Sequence, residues 1–136
     1  MALLTRLKTL PYAIQVGIIV VTGGILIIRL YTGENGQAYF EDLNIPGNDT
    51  QVVDLEAGAD MTFRRFPDGH FSDWHNAPRL QYVIVLGGRM EIGVGDGTKR
   101  ILDPGDILQV EDLTGQGHTT RSLGQRVVAS VPIKLG

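Results

Sequence analysis

Polar and apolar positions change places every few residues along most of this chain. QAYFEDL (37–43), TQVVDLE (50–56), MTFRRF (61–66), RLQYVIVLG (79–87), RMEIGV (89–94), KRIL (99–102), ILQV (107–110), GHTTR (117–121) and RVVASVPI (126–133) are short and rich in β-branched or aromatic residues. In RMEIGV, Met90, Ile92 and Val94 fall on one face, as in a half-buried strand. No stretch after residue 31 keeps a helical period. Turn signals lie between the segments. Gly33-Glu34-Asn35-Gly36, Ala57–Asp60 and Asp103-Pro104-Gly105-Asp106 read as turns, and IPGNDT (45–50) as a loop. Residues 67–78, PDGHFSDWHNAP, read as a polar loop bounded by prolines. Asp96-Gly97 supplies the positive φ angles of a tight hairpin. Eight or nine short strands with turns between them predict an all-β sandwich or barrel.

Composition supports this. The 136 residues fit one domain, and 43% apolar content is enough for a core. Eighteen glycines and six prolines suit many tight turns. The net charge is −3, and residues 29–136 alone carry ten basic and fifteen acidic groups. That balance argues against a nucleic-acid partner, which needs clustered positive charge. With no cysteine, disulfides, thiolate nucleophiles and cysteine-ligated zinc are excluded. No phosphate loop or nucleophile elbow is present, and the glycines of GVGDG (93–97) join two strands rather than a strand and a helix.

The N-terminus stands apart. Residues 10–28 carry no charge, and this 19-residue run is close to the roughly 20 needed to cross a bilayer core. Arg6 and Lys8 precede it, which would keep the N-terminus in the cytoplasm and place the barrel outside, although Arg29 opposes that bias. The alternative divides the run at Thr22-Gly23-Gly24. Residues 1–23 are then a hydrophobic extension, ILIIRLY (25–31) is a strand, and residues 24–136 form the barrel domain of a soluble cytoplasmic protein. Both placements stay open at this point.

The chemistry rests on three histidines, His70, His75 and His118. Inward residues on different strands of a small barrel meet across a narrow interior, which suits metal or ligand binding. His70 lies in a turn signal and reads as solvated. Alternation places Thr120 on the face of His118 and Arg121 on the opposite one. Gln81, Val83 and Val85 likewise share a face. One of Arg64 and Arg65 must point inward, and an inward arginine favours an anionic substrate. Asp112 is expected to hydrogen-bond the Thr114–Gly117 backbone.

Over residues 29–136 these features resemble the two motifs of the cupin superfamily. In the first motif, His75 falls at the second histidine and Asp73 at the first. Gln81 falls at the glutamate, and Val85-Leu86-Gly87-Gly88 at the strand end. In the second, Pro104-Gly105-Asp106 and His118 match. The run Glu111–His118, EDLTGQGH, is similar to that of small single-domain (RmlC-like) cupins. The resemblance implies a double-stranded β-helix, or jelly roll, with its mouth built by residues 70–81 and 111–120. It implies a divalent metal (Fe, Mn, Ni or Zn) on His75, His118, Gln81 and Asp73. It also implies a small-molecule ligand near Trp74, Gln81 and Thr120, and a homodimer formed through ILIIRLY. Asp73 for histidine and Gln81 for glutamate depart from the pattern. They replace an imidazole and a carboxylate with weaker or differently shaped donors. Two activities follow: metal-dependent, oxygenase-type chemistry on a small organic acid, or metal-free binding and sensing of a small molecule.

Overall fold

The computed structural model describes residues 26–43 and 52–135. Eight strands form: β1 (Ile27–Thr32), β2 (Ala38–Leu43), β3 (Thr62–Phe66), β4 (Phe71–His75), β5 (Gln81–Gly93), β6 (Lys99–Leu102), β7 (Ile107–Val110) and β8 (His118–Pro132). There is no helix among the described residues, so none is long and apolar enough to cross a membrane. The sheet runs β2-β1-β7-β5-β8-β3, with β4 on β8 and β6 on β5. Among the described strands only β1 and β7 pair in parallel.

The two long strands organise the fold. They pair with each other antiparallel along most of their length. The start of β5 also pairs β7, and its end pairs β6. The start of β8 pairs β4, and its end pairs β3. Each long strand therefore changes partners along its length, which is how the single eight-stranded sheet wraps into a jelly-roll barrel. Register shifts in β5 flank Gly87. Gly88 sits at φ 63°, where an added Cβ would lie 2.3 Å from the Gln125 carbonyl oxygen. Only glycine permits that bulge and close approach.

The core lies between the layers. Ile28 and Leu30 of β1 stand beside Leu108 and Val110 of β7, and Val85, Met90 and Ile92 of β5 pack with them. Burying each of these side chains contributes roughly 1.5–3 kcal/mol. The DPGD turn closes with Asp103 N–H donating to the Asp106 carboxylate at 2.9 Å.

Several expectations need correction. Residues 67–78 are not all loop, because Phe71–His75 is β4. Ser72 and His75 face the interior while Phe71, Asp73 and Trp74 are exposed, so neither parity reads as apolar and the alternation is hidden. Segments 79–87 and 89–94 are one strand, as are most of 117–121 and 126–133. The glycines between them bend the strands without ending them. In the described part of TQVVDLE, residues 52–56, only Leu55 makes a bridge, an isolated one to Ile133. In the 95–97 hairpin Gly97 alone has positive φ, and the Asp96 carboxylate instead accepts from Thr98 N–H at 2.8 Å. Of ILIIRLY, Ile27–Tyr31 lies in β1, paired with β2 on one edge and β7 on the other. The extension at residues 1–23 and the loop IPGNDT lie outside the described residues.

Candidate functional site

β4 and the start of β8 bring two histidines together. His75 and His118 are register partners, with ring centroids 4.3 Å apart and planes inclined at 58°. Gly117 makes this approach feasible: at φ 77°, an added Cβ would lie 2.1 Å from the His75 carbonyl oxygen. Each ring is anchored through Nδ1. His118 Nδ1 lies 2.5 Å from Oδ2 of Asp112, whose carboxylate is fully buried. His75 Nδ1 lies 2.6 Å from the backbone carbonyl of Asp73. A carbonyl or carboxylate oxygen only accepts, so each Nδ1 is the donor, and in the neutral ring Nε2 keeps a lone pair towards the cavity.

The loop before His118 is held rigidly. Asn76 Nδ2 donates to the carbonyls of Thr114 (2.9 Å) and Gly115 (3.1 Å), and Ala77 N–H to that of Asp112 (3.1 Å). Arg29 Nε donates to Glu111 at 2.8 Å, a contact that raises the arginine's pKa. It was expected that Asp112 would fix this loop. Asn76 does so instead, and the Asp112 carboxylate serves His118.

Both histidines open onto a cavity of about 420 Å³, within the usual range for small-molecule sites. Val83, Ile92, Leu108, Val110 and Val128 make an apolar wall, and Gln81, Thr120 and Ser72 add polar groups. Arg126 also lines it and is only 4% exposed. Its guanidinium lies 3.9 Å from the Phe66 ring centroid, and burial pulls its pKa down to about 10, still charged at neutral pH.

No family model and no curated protein matches the chain. Among solved structures it is similar to a cupin superfamily protein from Desulfitobacterium hafniense (18% identity, TM-score 0.47, covering 65% of this chain and 83% of that one). It is also similar to a cupin-2 domain protein from Shewanella frigidimarina (13%, 0.47, 67% and 85%) and a cupin domain from Bordetella pertussis (16%, 0.44, 85% and 99%). The strand pairings themselves make a small jelly-roll barrel.

Within the barrel cavity the structure gathers His75, His118, Gln81 and Thr120. Asp73 and Trp74 lie elsewhere. Ser72 pairs with Thr120 and His75 with His118, so two residues, Asp73 and Trp74, bulge opposite Thr119 alone. That extra residue breaks the alternation that would have put Asp73 on the face of His75. The Asp73 carboxylate is exposed and accepts from Trp74 N–H at 2.8 Å, and Trp74 is 45% exposed. Among the described residues, no three His, Cys, Asp or Glu side chains cluster as metal ligands. The nitrogen and oxygen donors lining the cavity are therefore two imidazoles, the amides of Asn76 and Gln81 and three hydroxyls, with no carboxylate among the described residues. His70 is exposed and stacks near Phe66, and Arg121 faces outward towards Glu91.

Sequence reasoning missed Arg126. A signal was present: alternation in RVVASVPI puts Arg126 on the face of Val128 and Ser130, and all three line the cavity.

Proposed function

We propose that this cupin binds a small organic molecule in its barrel, with His75 and His118 as the polar recognition point. One observation carries the reading: two imidazoles with Nδ1 anchored outside a cavity of ligand size, each left with an Nε2 lone pair. The apolar wall would take the body of the ligand, and Gln81 and Thr120 its polar edge.

A divalent metal is the second part of the reading, favoured by the same Nδ1 anchoring, which orients imidazoles towards ions at many metal sites. His75 and His118 would hold it with the Gln81 amide oxygen. Imidazole suits Zn, Fe or Ni, while the absence of a carboxylate donor lowers the expected affinity. A bound ion would supply Lewis-acid activation of a ligand oxygen, and oxygenase-type turnover would depend on it. Without it, the protein is a binding or sensing barrel. Elemental analysis of full-length protein purified without chelator, before and after equilibration with Zn²⁺, Fe²⁺ or Ni²⁺, separates the two. About one ion per chain, lost in His118→Ala, supports the metal. No ion in wild type after equilibration leaves metal-free binding. A homodimer belongs to this proposal as well, and sedimentation of the full chain tests it.

A further inference from the structure

The described arginines differ in how their charge is met, and Arg64, Arg65 and Arg79 are exposed to solvent. Arg29, Arg89, Arg100 and Arg121 each have a carboxylate oxygen within 2.8–3.8 Å, and all lie at the surface or are partly buried. Arg126 is 4% exposed, yet among the described residues no carboxylate pairs with it. Its Nε is buried without a hydrogen-bond partner. The Phe66 ring provides only a cation–π contact. A buried charge is costly unless paired, so an unpaired guanidinium on a cavity wall lacks its counter-charge. The rest of the lining fits this. Its other ionisable residues are Arg64, at the exposed rim, and His75 and His118, and it contains no aspartate or glutamate. A protein with fifteen acidic residues thus lines its cavity with basic ones only.

We propose that the ligand of this cavity is a small organic anion, a monocarboxylate, whose charged end pairs with Arg126 and whose apolar body lies on Val83, Leu108 and Val110. This rests on the cavity being the ligand site, but not on a metal being present. The planar fork of a guanidinium matches a carboxylate's two oxygens. One deep arginine beside aliphatic walls suits a single charge on an apolar body better than a phosphate. Arg64 at the rim adds attraction during entry.

The test uses the full chain and calorimetric titration with benzoate and 3-methylbutanoate. Their neutral amides and inorganic phosphate are titrated in parallel, all with and without EDTA. Arg Nε–H resonances are followed by NMR. At least one carboxylate should bind tenfold or more tightly than its amide, move the Arg126 Nε–H signal, and lose that preference in Arg126→Met. Arg126→Lys, which keeps the charge but not the fork, should lose most of it. Arg126→Met without ligand should melt at a higher temperature, because an unpaired buried charge is gone; an arginine that served only packing would give a lower one. Equal binding of carboxylates and amides overturns the inference while leaving the cavity as a ligand site. A carboxylate preference that survives Arg126→Met and disappears in EDTA overturns it in favour of the metal. Tighter binding of phosphate than of either carboxylate also overturns it. Binding by no probe overturns both the inference and the cavity reading.

Discussion

His75 and His118 face the same cavity but are held in different ways. His118 lies on a long central strand, is almost wholly buried, and is fixed by a buried carboxylate six residues earlier in the chain. His75 lies at the end of a short strand, is half-buried, and is fixed by a backbone carbonyl two residues away, across a bulge. One ring is set by a side-chain pair, the other by local backbone geometry. Substitutions near His118 should therefore act through side-chain chemistry, and those near His75 only where they change the backbone.

The largest expected effect comes where the two anchors meet. Gly117→Val forces a side chain into the His75 carbonyl at a positive φ. It should cost on the order of 3 kcal/mol or more in denaturant unfolding and separate the two strands. An unchanged midpoint would break the comparison, because the close approach would then not need glycine. Next is Asp112→Ala, which leaves the buried His118 Nδ1 unpaired. The expected cost is about 1–3 kcal/mol, with roughly a 10- to 100-fold loss of affinity for whichever probe or ion the cavity binds. Preserved affinity would mean that the carboxylate does not orient the ring. The smallest effect is expected at Asp73→Asn and Trp74→Ala, whose side chains point away from the cavity. Stability should stay within about 0.5 kcal/mol for Asp73→Asn, and binding should be unchanged in both. A tenfold loss of binding in either would place the bulge differently.

The same contrast shows what could be read from sequence. The alternation of Met90, Ile92 and Val94, the DPGD turn and the spacing of His75 and His118 each depend on short-range pattern, and each appears in the structure as a strand face, a turn and a facing pair. The bulge at Asp73–Trp74 leaves no such mark, because either parity of FSDWH reads as polar. Gly87-Gly88 and Gly124 look like breaks, since glycine is the ordinary signal for a turn. Gly88 and Gly124, both at positive φ, instead carry β5 and β8 through bends within one wrapped sheet. Asp112 lies in a turn-like run, and its link to His118 depends on a loop path that Asn76, just after β4, and Arg29 of β1 set from distant parts of the chain. Arg126 could be read from strand parity, but its lack of a partner is a three-dimensional fact.

The most direct test of the account is a ¹⁵N spectrum of the full chain labelled at histidine, recorded while a carboxylate probe or Zn²⁺ is titrated in. The account predicts that His75 and His118 both carry the proton on Nδ1, and that their Nε2 signals move together to saturation while His70 stays still. A proton on Nε2 of either ring, or a titration in which His70 moves and this pair does not, would contradict it.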